Sequence, residues 1–176
     1  MIFQSIKTAK LTETKIKKIL TLKDSIWNFG IKSQKRWFDK NIKDNDIHNI
    51  LLINNNIIGY TLLANRHFTK FINKQPINEK SYILFATLIL KKKYRNISYA
   101  SHMMHFNNKY ILSQKKPAFL LCHKKKLNFY KFFGWSRLKK KNFSIKDHKH
   151  SLEAMTYNLK KYKKNKEKFY NFFYYR

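Results

Sequence analysis

The sequence predicts a mixed α/β fold, and three observations carry that reading. β-rich runs alternate with stretches of helical spacing along most of the chain. Residues 48–53 and 57–64 are both β-rich and are parted only by Asn54-Asn55-Asn56, and asparagine tolerates the positive φ that a hairpin turn needs. The apolar runs 81–90 and 117–122 read as strands buried on both faces, with a helix-like segment between them.

Taken in order, residues 2–9 form a first strand. Thr12 then stands where a helix N-cap belongs, ahead of Ile16, Ile19 and Leu20 at helical spacing. Ser33 caps another, short helix that carries Trp37 and Phe38 and ends in the polar stretch 41–45. After the hairpin, residues 65–80 hold Pro76 and few periodic positions, so a loop is expected before the strand 81–90. The third helix, 101–113, presents Met103, Met104, Phe106, Ile111 and Leu112. Pro117 restarts the chain as a strand, and a lysine-rich turn leads to an aromatic helix over 127–133 that Gly134 terminates. Strands at 136–145 and 153–159 bring the expected total to about six or seven strands and about four helices. Residues 161–176 alternate lysine with Phe and Tyr without a clear period, which suggests a surface helix or a partly disordered tail after a domain of residues 1–160.

At 176 residues the chain fits one such domain, and a 43% hydrophobic fraction is ample for its core. Its 39 Lys and Arg against 9 Asp and Glu leave a formal charge of +30. Acidic partners such as nucleic acid, anionic lipid or a phosphorylated cofactor suit that charge. The lysines are nevertheless spread along the chain instead of gathered in a patch, and Asn, Ile, Phe and Tyr are abundant beside them, which reads as compositional bias. Cys122 is the lone cysteine, so no internal disulfide forms and a reducing cytoplasm is the expected compartment. The start of the chain is too short in apolar length for a signal sequence, and no window approaches the ~20 apolar residues that span a bilayer, so no transmembrane segment is expected.

The most informative stretch lies between the strand 81–90 and the helix 101–113, where Arg95-Asn96-Ile97-Ser98-Tyr99-Ala100 forms the connection. Amides at a helix start point outward with no partner and suit a diphosphate. Arg95-x-x-Ser98-x-Ala100, followed after a helix and a strand by Phe129-Tyr130-Lys131-Phe132-Phe133-Gly134-Trp135, resembles the GNAT superfamily of CoA-dependent N-acetyltransferases. The arginine motif is similar to the family's pyrophosphate motif, with Ser98 where glycine is usual. The aromatic run is similar to its Phe-Tyr-x-x-x-Gly-aromatic motif. The regions 48–59 and 121–135 most resemble the aminoglycoside 2'-N-acetyltransferase and nodulation-acyltransferase branch, with His123 where many relatives carry asparagine.

The resemblance implies a mostly antiparallel central sheet and attack of a neutral amine on acetyl-CoA. The amides of Ile97, Ser98, Tyr99, Ala100 and Ser101 would take the pyrophosphate, Arg95 would add charge, and the backbone of Leu88, Ile89 and Leu90 would pair with pantetheine as with another strand. Tyr130 would give the departing thiolate its proton, because a phenol of pKa ~10 is protonated at neutral pH and a thiolate has a pKa of ~8.5. Many relatives carry a glutamate on the strand before the turn, whereas residues 81–90 hold no acid. Glu79 or His48 acting through water is then the candidate base. Lys91-Lys92-Lys93 and Lys124-Lys125-Lys126 would meet the CoA 3'-phosphate or stand as solvated turns. Trp27, Phe29, Trp37 and Phe38 would stack against a ring, which suggests an amino sugar or a nucleotide-linked amine.

No metal is expected, since no carboxylate or second cysteine completes a zinc set with His102 and His105 or with Cys122 and His123, and His148-Lys149-His150 reads as a surface loop. The rival reading is a basic nucleic-acid or ribosome-associated binder without catalysis, using its lysines for phosphates and the aromatic tail for stacking.

Overall fold

The computed structural model describes residues 1–146, 151–159 and 168–174. In chain order the elements are β1 (Ile2–Lys7), α1 (Glu13–Trp27), α2 (Ile31–Asn41), β2 (Ile47–Ile53), β3 (Asn56–Ile72), β4 (Gln75–Leu90), α3 (Ile97–Ser113), β5 (Ala118–Cys122), α4 (Leu127–Phe132), β6 (Ser136–Leu138), β7 (Phe143–Ile145), β8 (Glu153–Tyr157) and β9 (Lys168–Phe172). The fold is mixed α/β with mostly antiparallel strand pairing. Among the described residues the parallel pairs are β4 with β5 and β7 with β9. The chain divides into two compact units, Met1–Ala64 with Phe85–Tyr110, and Asn65–Leu84 with the described residues from Ile111 onward.

In the first unit, Thr12 caps α1 as its sequence position suggests, its side chain accepting the Lys15 amide at 3.3 Å. Helical spacing then sets Ile16 and Leu20 on one face, where they bury against Phe38 of α2. The helix ends at Asn28, which takes the left-handed conformation at φ 43. Gly30, at φ 81, precedes α2 and replaces a side-chain cap. The helix therefore starts two residues before Ser33, because the reversal is made by Asn28 and Gly30 and needs no hydroxyl. β1 pairs antiparallel with β2 from Ile2↔Leu52 to Lys7↔Ile47. β2 turns into β3 through Asn54 and Asn55, at φ 47 and 60, the doubly positive geometry that asparagine tolerates. A buried amide network fixes α3 to these strands: Asn107 accepts from Asn49 Nδ2 at 2.8 Å and donates to Thr61 Oγ1 at 3.1 Å.

The other unit departs from expectation in three places. Residues 65–80 form no loop: β3 runs to Ile72, β4 begins at Gln75, and Asn73 and Lys74 make the turn at φ 50 and 65. Arg66, Phe68 and Lys70 are buried in alternation with the more exposed His67 and Thr69, so the period of two was present but carried by polar residues. Arg66 is satisfied there by donating Nε to the Tyr174 carbonyl at 3.3 Å. Pro76 sits at the exposed start of β4, where a missing N–H does no harm.

The tail differs too. Its described part is β9, paired antiparallel with β3 at Phe68↔Phe172 and parallel with β7 at Phe143↔Tyr170. Tyr170 and Phe172 point inward as alternate residues, and Phe172 stacks on Phe119 with ring centres 4.0 Å apart. The expected strand 136–145 is divided into β6 and β7 by a helical turn at Lys140–Asn142. These two changes raise the strand number above the six or seven foreseen. The His148-Lys149-His150 segment lies outside the described residues.

Candidate functional site

The strand end that should meet a cofactor is set by β3. Gly59 lies so close that an added Cβ would stand 2.8 Å from Leu90 Cδ2 and 3.2 Å from Leu51 Cβ, so a side chain there would make Leu90 shift within its cluster with Leu51, Ile58 and Met103. The Ile58 carbonyl accepts the Lys91 amide at 2.8 Å and holds the chain as it leaves the strand. Arg95 then folds back, its Nε donating to the Leu90 carbonyl at 3.0 Å. That bond braces the turn, so Arg95 acts on the backbone as well as offering its positive charge.

Asn96 is the N-cap of α3. Its Oδ1 accepts the Tyr99 amide at 3.0 Å and its carbonyl accepts the Ala100 amide at 3.2 Å. Ser101, one residue further in, has Ile97 as its helical acceptor. Of the amides expected to take a diphosphate, those of Tyr99, Ala100 and Ser101 are therefore engaged in the cap and the helix, which corrects the wider set. Those of Ile97 and Ser98 precede the first intrahelical bond. The turn is open to solvent, with the Ile97 side chain 68% exposed. Ser98 lies inside α3 and is not among the positive-φ residues, so serine in place of glycine brings no strain.

β4 hydrogen-bonds with β5 at Ile83↔Ala118 and Leu84↔Phe119, and it continues as a strand to Leu90 beyond that ladder. Ile89 and Leu90 are buried and Leu88 is half-buried, so their side chains pack while their backbone keeps the strand form a β-type ligand needs.

In the other unit, Tyr130 sits half-buried on α4, its ring edge-on to Trp135 at 6.2 Å and to Phe129 at 5.2 Å. Its carbonyl accepts the Phe133 and Trp135 amides, each at 3.1 Å, which with Gly134 at φ 82 makes the tight exit from the helix. Burial pushes the phenol above its ordinary range, and the nearby Cys122 adds to the shift, so Tyr130 keeps its proton well past neutral pH. Burial, then the Glu153 carboxylate, raise the Cys122 thiol to about 11, and the cysteine is inert at neutral pH.

The two candidate bases fare differently from expectation. His48 is fully buried, with Nδ1 2.9 Å from the Tyr60 hydroxyl and Nε2 2.9 Å from Thr8 Oγ1, so neither ring nitrogen is open to a substrate. Burial, and then the charge of Lys23, lower its pKa to about 4 and keep it neutral. Glu79 stands exposed near the start of β4. It stands nine residues before Leu88 along β4. Thr87, buried on the strand between, carries no titratable group.

Of the aromatic residues expected to stack on a ring, Phe29 (68% exposed) and Trp27 (39%) are open, Trp37 is half-buried and Phe38 is core. Lys92 and Lys93 lie in one short helical turn, with Lys91 just before it, and Lys124 to Lys126 lie in another; all six are exposed. Among the described residues no three His, Cys, Asp or Glu side chains come together as a metal set.

Two functional candidates escaped the sequence reading, the buried Lys23 and Gln34 of the first helix pair. The signal for Lys23 was present, since it follows Ile16 and Leu20 at the spacing of their buried face.

Solved structures share most of the fold. ElaA of Escherichia coli aligns at TM-score 0.62 and 13% identity over 88% of this chain and 97% of its own. An acyl-CoA N-acyltransferase from Pseudomonas aeruginosa aligns at 0.65 and 12% identity, covering 89% and 99%. An aminoglycoside 6'-N-acetyltransferase complexed with coenzyme A aligns at 0.63 and 10% identity, covering 93% and 100%. These likenesses run across the fold and single out no branch. No family model and no curated protein matches the sequence.

Proposed function

We propose, from a chain with the fold of the GNAT acetyltransferases, that it transfers an acetyl or other short acyl group from a CoA thioester to a small-molecule amine. The observation that carries this is the sequence of parts after the β4–β5 ladder: strand backbone through Leu88, Ile89 and Leu90, then a braced turn, then a helix start with the Ile97 and Ser98 amides outward.

On this reading the diphosphate of CoA sits on Ile97 and Ser98 at the positive end of α3, with the Arg95 guanidinium alongside and Asn96 holding the turn. Lys91, Lys92 and Lys93 offer charge to the 3'-phosphate. Pantetheine pairs along Leu88 to Leu90, and an amide there polarises the thioester carbonyl as negative charge develops on it. The amine attacks the carbonyl carbon, the C–S bond breaks, the extra proton on the nitrogen passes to water, and the leaving sulfur takes the Tyr130 proton, which the phenolate regains from water. A phenol held above its ordinary pKa is fully protonated for that step. With His48 sealed and Glu79 remote, the acceptor enters as the free amine or loses its proton to water. Exposed Trp27 and Phe29 offer a surface for a ring on the acceptor, in keeping with an amino sugar or a nucleotide-linked amine.

The test is thiol release from acetyl-CoA with a panel of amines, followed with a thiol reagent. The one cysteine, Cys122, is buried and contributes little background. Amine-dependent release supports the reading. Tight RNA binding that falls steeply with salt, together with no heat on titration with acetyl-CoA, would overturn it in favour of a nucleic-acid binder.

A further inference from the structure

Among the described residues, the α1–α2 hairpin buries two hydrogen-bond donors that have no acceptor. Gln34 is 4% exposed, and its Nε2 is the buried side-chain atom without a partner. Lys23 is 6% exposed, lies with its Nζ 4.2 Å from the centre of the Trp37 ring, and makes no ion pair. The carboxylates of Asp24 and Asp46 are committed elsewhere, to the Gly30 amide at 2.7 Å and the Lys43 amide at 3.0 Å.

The two donors occupy one level of the hairpin. Leu20 and Phe38 pack in the same cluster; one turn onward along α1 is Lys23, and one turn back along α2 is Gln34. Trp37 follows Gln34 by three residues, so the indole that covers the ammonium lies on the same stretch of helix.

Burying an ammonium without a counter-charge is costly, and an unpaired amide N–H adds to the cost. Burial pulls Lys23 down to about 8, with no carboxylate raising it in return. An apolar side chain at this core position would avoid that cost.

We propose that Lys23 and Gln34 hold the carboxylate of the acceptor, so that the substrate is an amine that also carries a carboxylate. This rests on the acyltransferase reading. A carboxylate offers one oxygen to each donor and one negative charge to one ammonium, whereas a phosphate dianion would leave charge unbalanced under the indole. His48 is neutral, with both ring nitrogens engaged, and does not compete for the anion.

The test uses the full chain. Crystals soaked in sodium bromide should show an anomalous peak within hydrogen-bond distance of Lys23 Nζ and Gln34 Nε2, lost in Lys23→Met. A bridging water only, or no peak, overturns the proposal. In parallel, acetyl transfer from acetyl-CoA is measured on amino acids and on their carboxamides. The carboxylates should win by about tenfold or more in kcat/KM, and Lys23→Met and Gln34→Leu should bring the ratio near one. A bromide peak with equal rates on acids and amides is an adventitious ion only, and it overturns the proposal.

Lys23→Met should fold, with a melting temperature a few degrees above the parent. Should it fail to fold, Gln34→Leu carries the same rate comparison. Calorimetry with acetyl-CoA separates the two readings: absence of binding defeats the transferase, whereas binding with no preference for carboxylates defeats only this site.

Discussion

The Asn96 side chain accepts the Tyr99 amide at 3.0 Å, closing the first turn of α3 and leaving the Ile97 and Ser98 amides directed outward. Two substitutions separate its roles. Asn96→Asp keeps the cap but places a negative charge beside the proposed diphosphate, and acetyl-CoA should bind about ten- to hundredfold more weakly with little change in stability. Asn96→Ala removes the cap without adding charge and should cost about 1 kcal/mol of stability by denaturant titration, with a smaller loss of affinity. Equal affinity in the Asp variant would place the diphosphate elsewhere.

Gly59 controls the strand end. A Cβ there would stand 2.8 Å from Leu90 Cδ2, with Leu51 Cβ at 3.2 Å and Met103 Sδ at 3.3 Å behind it. Gly59→Ala should destabilise the protein by about 1–3 kcal/mol and weaken acetyl-CoA by displacing Leu90. Denaturant midpoints and calorimetry on the same preparation check both effects. An alanine variant of parental stability would show that β3 and β4 have room to part.

His48 should make the fold acid-sensitive. Its folded pKa is lowered to about 4 from 6.5, so the unfolded chain binds the extra proton between those values and stability falls as pH drops through that window. It is fully present above 6.5, and the whole shift corresponds to about 3 kcal/mol. NMR of ring-labelled histidine should show His48 still neutral at pH 5. A His48 signal titrating near 6.5 would contradict the buried, doubly bonded ring.

Tyr130→Phe should lower kcat by about a hundredfold while leaving acetyl-CoA affinity unchanged, because the ring still packs on Phe129 and Trp135 and only the proton is lost. With the phenol raised by burial, no loss of the parent's activity from its ionisation should appear up to pH 10. Full activity in the Phe variant would remove Tyr130 from the chemistry.

Residues with strong local signals declared themselves in the sequence. Thr12 capped its helix, and the Asn54-Asn55 turn took the positive φ that asparagine tolerates. What was hidden lay where charge and burial coincide. Arg66 and Lys70 hold inward positions of β3, so a strand resembled a loop, and Tyr170 and Phe172 hold inward positions of β9 among lysines, so a strand resembled a tail. The turn before α3 could be located by spacing, but which amides it leaves outward depended on the Asn96 rotamer, and a rotamer is set by packing. The same limit misjudged His48, whose hydrogen-bond partners Thr8 and Tyr60 come from distant parts of the chain.

The most direct measurement is an acetyl-CoA titration followed at backbone amides by NMR. The Ile97 and Ser98 amides should shift most, saturating together with the calorimetric heat, while Asn107 inside the same helix stays still. Heat without movement at Ile97 and Ser98, or no heat at all, would contradict the assignment of a CoA-dependent acyltransferase built on this turn.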